Sequence, residues 1–301
     1  MTSRLTKMMN ARLSLLLKSK DRFAMAVIRA LSQDKRIRIY YVDITEAVKK
    51  ITEIHGFNEY VCRWFAETAV GTALLSADIK DENYIFSSVL KCCEPYNSTV
   101  VVRDSSNRIK GYCNACISGE YDFEHDIKNN ARLSVIIDTG AKYPYVTEIP
   151  ISENSLCECI SDYMEYSQQQ KSIVRINCSN EKAVGIMLQP VLNSEYIYIE
   201  NRADELLHMT DSLLEAKCTS DAEKIISKHL FDIVCKYELT AECDCNTEKM
   251  EGVIVSLGKK DAQEIIDDLG FIEIMCPYCL KKYKFDGTAV NSLFDFNECT
   301  K

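Results

Sequence analysis

The feature that most constrains this chain is a pair of cysteine clusters near its end, Cys243-x-Cys245 and Cys276-x-x-Cys279. They lie about 30 residues apart in a terminal unit of about 45 residues, too short to bury a core that would hold it folded alone. Such a unit needs a staple, and four thiolates are what tetrahedral Zn²⁺ takes in a structural site. A Cys-x-x-Cys turn between two short strands aims two sulfurs at one point, and a Cys-x-Cys supplies the other pair. The spacing therefore predicts one zinc ion per chain on Cys243, Cys245, Cys276 and Cys279. Zinc has no redox chemistry of its own, but its thiolate ligands do, and oxidising them removes the charge that holds the metal. The same four residues serve a structural site or a redox switch, and spacing does not separate the two.

Competing readings of these residues are weaker. Cys276-Pro-Tyr-Cys279 is spelled like a glutaredoxin active site, but there the motif opens a helix near the N-terminus. Here it is followed by Leu-Lys-Lys-Tyr-Lys, which reads as a strand. Lys281, Lys282 and Lys284 beside the knuckle suit a zinc ribbon that binds nucleic acid, yet the chain carries a net charge of −9, which disfavours that partner. Cys113/Cys116 and Cys157/Cys159 repeat the two spacings. A second metal or redox pair there is weighed against scattered thiols, and residues i and i+2 of a helix face apart. Cys92-Cys93 reads as buried filler, and His55, His125, His208 and His229 show no ligand spacing. No glycine-rich phosphate loop and no Ser–His–Asp set is present, so catalytic residues are not expected and the chain reads as a non-enzyme.

The 15 cysteines do not suggest a secreted disulfide scaffold, because the number is odd and no secretory signal is evident. A reducing, cytoplasmic setting fits better. No apolar run is long enough to cross a membrane. The first 20 residues are basic and acid-free, which fits an organelle transit peptide or a short basic helix. Beyond them, residues 36–42 (RIRIYYV) alternate as a strand, and residues 58–77 form a long helix with small residues for close packing. Strand-like segments follow at 84–90, 98–102, 108–112, 132–137 and 143–149, a helix at 155–167, and strands at 172–177 and 184–190. Strands and helices mix without regular alternation, which predicts an α+β core. Residues 201–217 read as a helix, and Ser220 to Glu223 as a capping box opening another. The terminal unit is expected to run from a loop to a helix over 259–269 stopped by Gly270, then strands at 271–275 and 282–285.

Several of these segments resemble the 33 kDa chaperonin family of redox-regulated heat-shock holdases. Residues 36–45 (RIRIYYVDIT) resemble its early strand and residues 69–80 (AVGTALLSADIK) its long helix and following turn. Lys110-Gly111-Tyr112 fits its Arg-Gly-Tyr-like turn, and residues 163–169 (YMEYSQQ) its Tyr-Phe-x-x-Ser-Glu-Gln motif. Residues 184–190 (VGIMLQP) resemble its Gly-Gly-x-x-x-Gln-x segment, with Val184 in place of the first glycine. The likeness spans about residues 21–287 and includes the four terminal cysteines. It implies a basic extension (1–20), an α+β chaperone core (21–192), a helical linker (193–236), a zinc-binding redox-switch domain (237–290) and a tail (291–301). It also implies that zinc on the four cysteines keeps the reduced form inactive. Oxidation would then pair Cys243 with Cys245 and Cys276 with Cys279, release zinc and destabilise the linker. Exposed apolar surface would bind unfolding client proteins without ATP, and the active form would be a homodimer. A member that keeps zinc for structure alone is the alternative within the family.

Overall fold

The computed structural model describes residues 25–79, 83–91, 98–114, 131–151, 155–179 and 181–298. The basic extension, Cys92, Cys93, Cys116 and His125 lie outside them. The chain divides into two compact units, Met1–Ala241 and Glu242–Lys301.

The first unit holds two antiparallel five-stranded sheets. In the first sheet the order is β10 (Phe231–Glu238), β1 (Ala26–Ser32), β2 (Ile37–Asp43), β9 (Ala183–Pro190) and β8 (Ile173–Cys178). In the second it is β5 (Ile109–Asn114), β4 (Ser98–Asp104), β3 (Ile85–Lys91), β6 (Ala131–Asp138) and β7 (Tyr145–Ile151). Strand β2 shows why the first sheet is buried on both faces. Its Ile37, Ile39 and Tyr41 enter one core, and Tyr40 and Val42 enter another. Alternating side chains point to opposite faces, so a strand apolar at nearly every position must be covered twice.

One cover is the long helix α2 (Glu59–Leu75), which follows α1 (Thr45–His55). Asn58 caps it by accepting from the Val61 N–H, and Trp64, Phe65, Val70 and Leu74 are buried among residues of both sheets. Two glycines permit its close approach. A Cβ on Gly185 of β9 would lie 2.3 Å from a Val70 methyl, and one on Gly111 of β5 would lie 2.7 Å from the Phe65 ring. Both glycines belong to segments singled out above; packing against α2 is the physical reason for Gly185, and for Gly111 the Val100 carbonyl at 2.6 Å acts together with the Phe65 ring.

The other cover is helical. After α3 (Leu156–Asp162) come α4 (Tyr196–Asn201), α5 (Ala203–Leu214) and α6 (Thr219–Lys228). Leu206, Met209 and Leu213 of α5 and Ala222 and Ile226 of α6 share one buried cluster with Ile28, Ile39 and Ile186. The helical hairpin is thus packed on the first sheet. The expected capping box does not form. Helix α6 starts at Thr219, so Ser220 is already helical, and the Cys218 side chain at the N-cap accepts no capping hydrogen bond. Residues 231–236, read above as helical, lie in strand β10, where alternation buries Phe231 and pairs it with Ser32.

Helix α3 also differs from expectation. It begins with a complete capping box at Ser155 and Glu158 but ends at Asp162. Residues Tyr163–Ser167 then widen into a π-turn, with the Gln168 N–H donating to the Tyr163 carbonyl.

The second unit contains α7 (Thr247–Leu257), α8 (Lys259–Leu269), the hairpin β11 (Phe271–Met275) and β12 (Lys282–Asp286), and α9 (Gly287–Glu298). Helix α8 and its left-handed Gly270 stop stand where the sequence placed them. Helix α7 occupies a stretch to which the sequence assigned no element, and α9 starts within the expected zinc domain and runs into the expected tail. Met250 and Ile254 of α7 and Val290 and Phe294 of α9 enter the unit's core, each pair one helical turn apart.

Candidate metal centre

Each sulfur of the terminal cluster is placed by a local device. Cys243 and Cys245 lie in the extended stretch before α7, where Asn246 caps the helix by accepting from the Lys249 N–H. Lys249 also forms an ion pair with Asp244, between the two cysteines. Cys276 and Cys279 lie in the turn joining β11 to β12. There the Cys276 N–H donates to the Lys281 carbonyl, and the Leu280 N–H donates to the Cys276 carbonyl. Closing that turn holds Leu280 at φ +59°, a conformation that favours glycine.

The four sulfurs lie within 4.8 Å of one another. Cys243 Sγ is 3.6 Å from Cys276 Sγ, and Cys245 Sγ is 3.4 Å from Cys279 Sγ. A tetrahedron with metal–sulfur bonds of 2.3 Å has edges of about 3.8 Å. The cluster therefore has the size of one tetrahedral thiolate site and is much too open for disulfides, whose sulfurs bond at about 2.05 Å. All four thiols are free, and Cys276 is fully buried. The Tyr283 hydroxyl donates to Cys245 Sγ at 3.2 Å. Burial acts to raise Cys245, but hydrogen bonds from Tyr283 and the neighbouring thiols outweigh it and bring the thiol down to about 7. Burial pushes Cys243 and Cys279 up, so the set is electrostatically uneven. Such a donor set suits a cation that several thiolates share.

Among the described residues, no other group of three or more His, Cys, Asp and Glu side chains comes together in this way. Cys157 and Cys159 lie on α3, and burial raises their thiols to about 11 and about 12. Such thiols are poor nucleophiles and poor ligands at neutral pH. Cys113 accepts from the Thr99 hydroxyl at 3.2 Å, and its predicted partner Cys116 is outside the described residues. His55 stacks on Phe57, and His229 faces Glu205 at 3.6 Å. The lysines beside the knuckle are engaged locally. Lys282 pairs with Glu273 at 2.9 Å, Lys281 lies over the Tyr283 ring, and Lys284 over Phe271. Tyr283 is the site residue that spacing did not reveal. It sits four residues past Cys279, on the strand the turn leads into. No described helix is long and apolar enough to cross a membrane.

Fold and site together define a two-unit α+β protein whose smaller unit carries a metal-competent cluster of four thiols. The sequence profile of the family described as "Hsp33 protein" matches residues 26–286, and the chain belongs to that family. The 33 kDa chaperonin of Acetivibrio thermocellus is 28% identical over 276 residues, covering 86% of this chain and 93% of that protein. The 33 kDa chaperonin of Lachnoclostridium phytofermentans is 27% identical over 277 residues, covering 86% and 94%. The crystal structure of the 33 kDa chaperonin from Thermotoga maritima has the same fold, with a TM-score of 0.73 at 21% identity, over 92% of this chain and 99% of that one.

Proposed function

We propose that this protein is a redox-regulated, ATP-independent holdase of the cytoplasm, not an enzyme, with zinc as the metal of the four-cysteine site. The observation that carries the reading is the tetrahedral-sized cluster of Cys243, Cys245, Cys276 and Cys279 in a unit with little other core. When bound, zinc supplies a cross-link and charge compensation for four thiolates. The chain's own residues do the rest. Met250, Ile254, Tyr283, Phe285 and Val290 pack in one cluster with the cysteines, so a cross-link through the thiolates would tie that cluster together. Under peroxide each cysteine pair gives up two electrons and forms one S–S bond, while one peroxide is reduced to two waters. Two pairs consume two peroxides. The proposed pairs are Cys243–Cys245 and Cys276–Cys279, each joining sulfurs already held on one short loop. Disulfide sulfurs no longer carry the charge a metal needs, so the unit loses its staple.

The segment next in line is Leu239–Ala241, which the first unit holds through the Arg108–Thr240 bridge and the Lys50 Nζ hydrogen bond to the Ala241 carbonyl. Loss of order spreading into β10 and the packed helices α5 and α6 would uncover Ile28, Ile39 and Leu213, an apolar surface for unfolding clients. Dimerisation of the exposed form belongs to the same proposal. The test is light scattering of a chemically unfolded client diluted into the reduced, zinc-loaded protein or into the same protein after peroxide at mild heat. Suppression by the oxidised sample alone supports the switch. Equal behaviour of the two samples, with zinc bound, leaves the site structural only.

A further inference from the structure

Four of the segments singled out in the sequence meet in the first unit, around one cavity of about 270 Å³. Residues 36–45 contribute Arg38, residues 69–80 Leu74, residues 163–169 Gln168, and residues 184–190 Met187 and Gln189. Leu74, Met187 and the neighbouring Phe86 are buried and apolar, and Arg38, Asp78, Gln168, Gln170 and Gln189 are among the polar residues of the lining. The π-turn after α3 positions Gln168, whose amide donates to the Tyr163 hydroxyl at 2.9 Å. Wide turns of this kind recur at functional sites.

The charge at this cavity is not balanced. Arg29 and Arg38 face one carboxylate, Asp78. Arg29 holds it at 2.5 Å, while Arg38 stands 3.6 Å from its other oxygen and 3.5 Å from the Gln170 side-chain oxygen. The Arg38 Nε is buried with no hydrogen-bond partner. Arg38 thus shares its one carboxylate, Asp78, with Arg29 at the edge of a cavity whose lining is part apolar and part polar. A guanidinium recognises a carboxylate through paired N–H donors. A benzene ring occupies a cavity of about 150 Å³, so this one has room for a carboxylate and a tail the size of a leucine or phenylalanine side chain.

We propose that this cavity binds a monocarboxylate bearing a compact apolar tail, with Arg38 as the carboxylate-binding residue. The ligand chemistry is shared by free branched or aromatic acids and by a peptide ending in an apolar residue. All of its lining residues belong to the first unit, and the proposal does not rest on the holdase reading.

Titration calorimetry on the full-length, reduced, zinc-loaded protein tests this with three probes: 4-methylpentanoate, its neutral amide, and the tripeptide Ala-Ala-Leu with a free carboxylate. The acid is expected to bind saturably and the amide at least tenfold more weakly. Arg38→Met keeps the aliphatic stem and is expected to weaken the acid at least tenfold while leaving the amide unchanged, with the thermal transition of the parent. If Arg38→Met melts early, Arg38→Lys replaces it and must bind the acid more weakly than the parent. Binding of the tripeptide as well identifies a chain terminus as the source, and binding of the free acid alone identifies a small molecule. Equal binding of acid and amide, no binding of either, or an unchanged affinity in the arginine variant overturns the proposal.

Discussion

At the residue scale, the site rests on a few side chains whose replacement has a definite sign. Cys243→Ser or Cys276→Ser removes a thiolate that oxygen does not replace for zinc, and each variant is expected to lose zinc to a chromogenic chelator that the parent resists. Full occupancy in either variant would show that the ligand set is wrong. Leu280 carries the opposite lesson. Its φ of +59° closes the knuckle at a cost that glycine does not incur. Leu280→Gly relieves about 1 kcal/mol of left-handed strain and is expected to raise the urea midpoint of the zinc-loaded C-terminal unit. The cysteine spacing made this cluster legible, because two short motifs single out four thiols without any knowledge of the chain between them. Tyr283 was not legible, since a tyrosine in a strand gives no sign of which sulfur its hydroxyl will meet. The carboxylate cavity was legible only as separate segments. Nothing in the spacing of Arg38, Gln168 and Gln189 brings them together before the sheets are assembled.

At the element scale, helix α2 carries the core. Gly185→Ala places a methyl 2.3 Å from Val70 and is expected to destabilise the first unit by about 1–3 kcal/mol, read from its denaturant midpoint. Glu67 on the same helix has its carboxyl raised by burial, with the Arg63 hydrogen bond offsetting part of the effect. The folded state therefore holds this proton more tightly than the unfolded chain. Unfolding free energy contributed by Glu67 falls as pH rises through the window between the ordinary glutamate value and the raised one. Glu67→Gln is expected to stabilise the protein above that window and to have little effect below it, which urea midpoints followed as a function of pH would show. Elements with strong periodicity or a clear stop, such as β2, α2 and α8, were readable in the sequence. Helix α7 was not, because Gly252 and the β-branched run Val253-Ile254-Val255 oppose a helix on propensity. The Asn246 cap and the burial of Met250 and Ile254 decide it instead. Strand β10 was hidden for a similar reason: its partner β1 is some 200 residues earlier, and pairing with it outweighs the helical character of the preceding segment.

At the scale of the whole molecule, two units of unequal self-sufficiency share one chain. The first has two large buried clusters, and the second has one small cluster built around the cysteines. Removing zinc with a strong chelator under reducing conditions is expected to abolish a separate C-terminal unfolding transition and leave the main transition of the first unit in place. A single transition unaffected by chelation would mean that the metal contributes nothing to folding. Whether the four-thiol cluster gates chaperone activity is decided by one oxidation time course. Zinc release, loss of free thiols at Cys243, Cys245, Cys276 and Cys279 by peptide mapping, and suppression of client aggregation would be followed in the same peroxide-treated sample. The account predicts that zinc release and the pairing of Cys243 with Cys245 and Cys276 with Cys279 come first or together, and that aggregation suppression rises only with them. Full suppression before any zinc leaves, or complete zinc release and disulfide formation with no gain in suppression, would contradict it.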